Sequence, residues 1–243
     1  MAFAHGKNAV LLANGYNLTG YLRNATAEIN VATPDTTVWG LNATDHLVGT
    51  FSGSITSEGL FDGSSGAIHT RLSTAFASAD SDITLLPAGS ALGNAGFALS
   101  GTQVKYSVTE PVEDVVTVSF EAQSNGGAIL PVSELQALTA VTSTGNKTGI
   151  DGGAASATGW TAWLQVTAFS GTDCTIKLID SATGVSSGMG DVSGGSFTQF
   201  TGITSEKIAS STTTAALKQY VGVNFAGTFS SVTCSVVVAR NRG

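Results

Sequence analysis

"VKYSVTEPVEDVVTVSFEA", residues 104–122, alternates twice. Val104, Tyr106 and Val108 take one side of an extended chain, and Lys105, Ser107 and Thr109 take the other. After the turn residues Glu110, Glu113 and Asp114, Val116, Val118 and Phe120 oppose Thr117, Ser119 and Glu121. A side-chain period of two is the signature of a half-buried strand, so the stretch predicts a hairpin with a greasy face and a neutral-to-acidic one.

The same texture runs outward in both directions. Asn14-Gly15 predicts a tight turn between short strands, and Ala25, Ala27, Ile29 and Val31 alternate with Thr26, Glu28 and Asn30. Phe51, Ile55 and Leu60 continue the pattern more loosely. Asp62-Gly63 reads as a turn and Ser64 or Ser65 as an N-cap. From there Ile68, Leu72 and Phe76 recur at helical spacing, predicting one short helix over 65–77 with His69 turned to solvent. Residues 128–142 predict a second short helix after Pro131, with Leu135, Leu138 and Val141 inward. Beyond the polar stretch 144–159, taken as a flexible connection, come further strands separated by turns such as Ser170-Gly171. The fold class expected is mainly β, an antiparallel sandwich or barrel with one or two short flanking helices. Its expected division is a β domain over 1–143 and a second β-sandwich subdomain over 160–243.

Composition narrows the function. Of 243 residues only 11% are charged, while 30 are glycine and 42% are hydrophobic, which suits short strands and tight turns. Residues 1–134 hold twelve acids and four bases, a balance of −8, and residues 135–243 hold five acids and six bases, a balance of +1. An acidic first half repels phosphate and argues against a clamp on nucleic acid. No apolar run approaches the twenty residues of a membrane helix, and the opening residues do not read as a secretion signal.

Reactive constellations are missing from the pattern. His5, His46 and His69 show none of the spacings metal sites favour. Glu58, Asp62 and His69 would converge only if the turn folded back on the helix; a strand end, a turn and an exposed helix face is the simpler reading. There is no Gly-x-Ser-x-Gly, and the glycine-rich stretch 89–101 lacks the Lys-Ser/Thr of a phosphate loop. Trp160 and Trp163 stand an odd number of residues apart and so cannot form one sugar-stacking platform on a strand. Cys174 and Cys234 lie in apolar strand-like runs, as buried thiols or as a cross-strand disulfide. The expectation is no catalytic residue, no metal, no cofactor, and an architectural or binding role.

Taken together, "GKNAVLLANGYNLTGYLRNATAEI", "TFSGSITSEGLFDG" leading into a helix, the hairpin 104–121, "CTIKLIDSATG" and "LKQYVGVNFAGTFSSVTCSVVVARN" resemble the tail tube (major tail) proteins of long-tailed, siphovirus-like bacteriophages. The resemblance rests on order and texture, with no diagnostic motif. It implies a β-sandwich with a flanking helix, made in the bacterial host cytoplasm and assembled in the virion tail. It implies partners too: further copies, in stacked rings of six or of three duplicated subunits, and other tail proteins. DNA would pass through the pipe without specific binding. On that analogy Ser107, Thr109, Thr117, Ser119 and Glu121 are the expected lumen-facing residues, and Lys105 is out of place among them. A capsid decoration protein, a tail-tip binding module and, last, a carbohydrate-binding domain are the alternatives.

Overall fold

The structure, a computed structural model, describes residues 6–39, 43–75, 81–125 and 129–241. The strands are β1 (Val10–Ala13), β2 (Tyr16–Asn17), β3 (Leu22–Val31), β4 (Phe51–Leu60), β5 (Ser81–Leu86), β6 (Ala95–Thr109), β7 (Thr117–Ser124), β8 (Leu130–Val141), β9 (Gly145–Asn146), β10 (Ile150–Asp151), β11 (Trp160–Ser181), β12 (Gly190–Ser196), β13 (Thr204–Ala209) and β14 (Tyr220–Arg240). One α-helix, α1 (Ile68–Ala75), lies among the described residues. The protein is mainly β and antiparallel, as the alternation predicts. By proximity it divides into two units, one of residues 1–20, 82–98 and 130–243, the other of residues 21–81 and 99–129. This partition differs from a division at 144–159. That segment carries β9 and β10, both paired to β14, and Ser156 bridges Leu217.

The first unit is organised by β11 and β14. They run antiparallel from Trp160↔Arg240 to Ser181↔Tyr220, with register shifts near Val166 and on both sides of Gly171. A straight strand of 22 residues would be about 70 Å long. Yet Trp160, Leu164 and Val166 from before the shifts and Cys174, Ile176 and Leu178 from after them share one core cluster. The ribbon therefore folds over on itself at the bulges, as strands do when they pass from one layer of a sandwich to the other. Gly227 sits at that corner with φ +124, and a Cβ there would lie 2.6 Å from the Asp173 carbonyl oxygen. Ser170-Gly171, expected as a turn between two strands, is instead a pair of bulges that bend β11 without ending it.

A second, smaller cluster joins Leu86, Ala98, Val132, Trp163, Val237 and Ala239. β11 is thus buried on both faces from Trp160 to Val166. The Asn14-Gly15 turn forms as expected, with φ of 50° and 80°. Gln165 reaches it: its side-chain oxygen accepts from the Gly15 N–H at 2.7 Å, and its Nε2 donates to the Asp82 carbonyl at 2.8 Å.

The helix expected at 128–142 does not form. Residues 130–141 are β8, paired with β14 from Ser133↔Val238 to Val141↔Val232. Leu135 and Val141, six residues apart, are buried as a strand allows, Leu138 between them is only partly buried, and register shifts in this pair loosen the alternation. Pairing with a long central strand outweighs the weak local propensity.

Candidate functional site

In the second unit the four strands run in the order β3, β4, β7, β6, each antiparallel to its neighbour. Their registers align the side chains in rows. One row reads Thr26, Thr56, Glu121, Lys105, and the next reads Asn24, Glu58, Ser119, Ser107. Flanking rows carry Glu28, Ser54 and Gln123 on one side, and Thr117 opposite Thr109 on the other. Alternation then assigns every one of these to the same polar face.

The reverse face is apolar. Ile55, Val118, Phe120 and Ala122 are buried there, with Ile68 and Leu72 of α1. Gln103 Nε2 donates to the Leu72 carbonyl at 3.1 Å, tying the helix to β6. α1 starts at Ile68, and its entry is held by main chain: His69 N–H donates to the Asp62 carbonyl and Ala67 N–H to the Ser64 carbonyl. Asp62 supports the turn by accepting from Ser64 N–H at 2.9 Å, a bond that lowers its carboxyl pKa. Position 76, expected on the helix, lies outside the described residues.

The polar face is a shallow depression of about 580 Å³ lined by Asn24, Thr26, Glu58, Lys105, Ser107, Glu121 and their neighbours. Ser107 and Ser119 share a hydrogen bond of 2.7 Å across the strands. Gln123 donates to Glu121 at 2.8 Å, and Asn24 donates to Glu58 at 3.4 Å. Glu28, Glu58 and Glu121 against Lys105 give the face a formal charge of −2 (three acids less one base). Hydroxyls and amides fill most of the remainder, with Leu60 as an apolar member opposite Thr117. Such a surface is wettable, weakly anionic and free of paired cations that could fork onto phosphate.

All five residues singled out from sequence, Ser107, Thr109, Thr117, Ser119 and Glu121, share this face. Lys105 is less anomalous than the sequence suggests, because Glu121 stands directly opposite it. Asn24, Thr26, Thr56 and Glu58 complete the face and were missed as members of it. Their alternation is visible in sequence, but the β4–β7 pairing that brings them to the hairpin is not. On the reverse, Val104 falls in the bulge between Gln103 and Lys105 and Val108 stays partly exposed, so the hairpin's greasy side is buried mainly through β7.

His69 is a correction. It is half-buried, its Nδ1 lies 2.6 Å from the Tyr106 hydroxyl, and its ring centroid lies 5.1 Å from that of Phe61. The expected exposed helix face is packed because β6 brings Tyr106 over it. Glu58 stands on the polar face and Asp62 in the turn, and among the described residues no three His, Cys, Asp or Glu side chains gather as a metal site would require. Trp160 and Trp163 are buried in separate clusters. Cys174 and Cys234 are free, buried thiols.

No protein-family model matches the chain, and no match among curated proteins reaches significance. Among solved structures, similarity is found to the virion of a native gene transfer agent particle, at 14% identity over 52% of this chain and 98% of that one, with TM-score 0.41. The SPP1 tail tube is similar at 11% identity over 52% of this chain and 78% of that one, with TM-score 0.44. The SPP1 Dit protein is similar at 13% identity over 95% of this chain and 98% of that one, with TM-score 0.37. Likeness of this degree establishes neither the fold nor the role of the chain.

Proposed function

We propose that this chain is a structural subunit of a phage tail tube, whose copies join edge to edge into rings that stack into a pipe for DNA. One observation carries the reading. Among the described residues, the outer edge of β3 pairs with no strand, and at the opposite end of this four-stranded stretch residues 105–109 of β6 pair with β7, while β8 lies opposite residues 95–98 of β6. A ten-residue strand with an unpaired edge invites pairing with another chain. Because all neighbours are antiparallel, β3 and β6 run in opposite directions, and β6 of one copy beside β3 of the next continues the antiparallel order. Closing a ring of copies this way pairs both of these edges.

The two faces support the same reading. A closed sheet must turn one face to its interior, and the side bearing Ser107, Thr109, Thr117, Ser119 and Glu121 suits a pore that DNA must traverse without sticking. The apolar reverse, covered by α1, would form the outer side. The location is then the virion, the partners are further copies in hexameric or trimeric rings together with other tail proteins, and the role needs no catalysis.

Negative-stain microscopy of concentrated protein tests this. Hollow rods are expected for the wild type. Successive N–H groups alternate between the two edges of a strand, so one of Ala25→Pro and Thr26→Pro removes an outward donor from β3 without touching the β4 ladder. That variant is expected to fold and yet to form no rods. A wild type that stays monomeric at every concentration and salt would overturn the proposal, as would undiminished rods from both proline variants.

A further inference from the structure

Glu134 of β8 is a wholly buried carboxyl group that, among the described residues, forms no ion pair. Its Oε1 accepts from Ser90 Oγ at 2.5 Å and from Ser235 Oγ at 2.9 Å, while its Oε2 has no hydrogen-bond partner. Around it the segment 87–94 is strapped to β8. Gly93 N–H donates to the Glu134 carbonyl at 2.8 Å, Glu134 N–H donates to the Asn94 carbonyl at 2.9 Å, and Leu138 N–H donates to Ser90 Oγ at 2.6 Å. One side chain therefore sits beneath a clasp of two main-chain bonds and one serine.

We propose that Glu134 is a protonation-controlled clasp: neutral, it holds segment 87–94 on β8, and ionised, it lets that segment lift away. The physical reason is the unpartnered oxygen. In the neutral acid only a weak dipole goes unmatched, whereas in the carboxylate a full negative charge is buried with two serine hydroxyls on Oε1, no hydrogen-bonded partner on Oε2, only the Ala91 N–H near the group besides, and no counter-ion. Nothing packed around it neutralises that charge. Segment 87–94 has no titratable side chain, β8 has only Glu134 itself, and residues 95–98 of β6 have none. On β14, Cys234 is the titratable neighbour, its thiol pushed up by burial and further by Cys174 and Glu134. Arg240 of the same strand is committed to carbonyl oxygens of residues 217–219. Burial raises the Glu134 carboxyl to about 7, although Ser90, Ser235 and the Ala91 N–H pull it down. The clasp thus changes state close to neutrality, with Ser90 as the joint between strap and strand.

Amide hydrogen exchange tests the proposal, with rates corrected for the intrinsic effect of pH. In the wild type, protection of the Gly93 and Leu138 amides is expected to be constant below pH 4.5, to fall up to about tenfold per pH unit as pH rises toward 7, and to level off above it. In Glu134→Gln the same amides should keep constant protection throughout. Constant protection in the wild type from pH 4 to 8, or an unchanged fall in the variant, would overturn the clasp. Should the variant fail to fold, a carbon-13 titration of the Glu134 carboxyl in the wild type decides. A midpoint near 7 that coincides with shifts of those two amides supports the clasp, and a midpoint in the ordinary carboxylate range refutes it.

Discussion

Trp160 and Trp163 stand three residues apart on β11 and are buried in two different cores. Trp160 packs with Leu164, Val223 and Val238 inside the folded-over ribbon, and Trp163 packs with Leu86, Val132 and Val237 on its other side. Each is therefore a separate test of one layer. Trp160→Ala and Trp163→Ala should each destabilise the fold by about 3–5 kcal/mol, and the two losses should be nearly additive because the cavities share no wall. Trp160 also leaves its Nε1 without a hydrogen-bond partner. Trp160→Phe, which removes that donor and keeps most of the ring, should cost less than half as much as Trp160→Ala in urea unfolding.

Arg240 ends β14 by gathering main-chain carbonyls. Its Nη1 donates to the Leu217 carbonyl at 2.8 Å and to Ser156 Oγ at 2.9 Å, and its Nη2 donates to the carbonyls of Lys218 and Gln219. The flat guanidinium serves several acceptors that an ammonium cannot reach together. Arg240→Ala should cost about 2–3 kcal/mol, and Arg240→Lys should recover less than half of that loss, since most of the carbonyls stay unmatched. Chemical denaturation of the three proteins checks the order. Equal stability of Lys and Arg at this position would show that charge alone matters.

The pH dependence of stability should carry the mark of Glu134. Its carboxyl is raised from 4.5 to about 7 in the folded state, so the folded protein holds this proton more tightly than the unfolded chain does. The contribution is then fully present below pH 4.5, declines as pH rises toward 7, and is gone above it. The shift corresponds to about 3 kcal/mol. Unfolding free energies of wild type and Glu134→Gln across pH 4–8 should converge or diverge through that window, with the variant lacking this component. Parallel curves would show that the proton is not bound differentially.

How far the chain could be read in advance follows from which faces are wet. The hairpin over 104–122 and strand β3 alternate openly because one of their faces is polar, and so the site residues on β6 and β7 were legible. "WTAWLQV" hides its period because both sides of β11 are buried there. Leu135, Leu138 and Val141 recur every three residues as on a helix, but only Leu135 and Val141 are buried, and bulges blur the alternation of β8. The pairing of β4 with β7, which completes the polar face with Glu58 and Thr56, joins residues 57 to 69 positions apart. No local pattern encodes that. His69 was misplaced for the same reason, since its partner Tyr106 arrives from β6.

Burial sets the chemistry of the two thiols. It pushes Cys174 up to about 11, with Asp173 adding to the effect, and raises Cys234 further. Since the thiolate is the reactive form, neither should react with a disulfide reagent at pH 8 in the native protein. Both should react at once in denaturant. Rapid labelling of either residue without unfolding would place it outside the core.

The polar face of the four-stranded sheet can be judged by inverting it. Glu28, Glu58 and Glu121 with Lys105 give −2, and changing the three acids to Lys gives +4 (four bases, no acid). All three carboxylates project from a solvated face, so the fold should tolerate the triple change, although like charges across strands will cost a little. A gel shift with double-stranded DNA at low salt should show no retention by the wild type. The Glu28→Lys, Glu58→Lys, Glu121→Lys protein should retain DNA, and the retention should weaken steeply with salt because each phosphate contact releases a counterion. If tubes form, the wild-type lumen should admit DNA without holding it, and tubes of the triple variant should hold it. Retention by the variant monomer but not by its tubes would mean that this face looks away from the bore. Strong retention by the wild type would remove the argument that the face is built to let phosphate slip past.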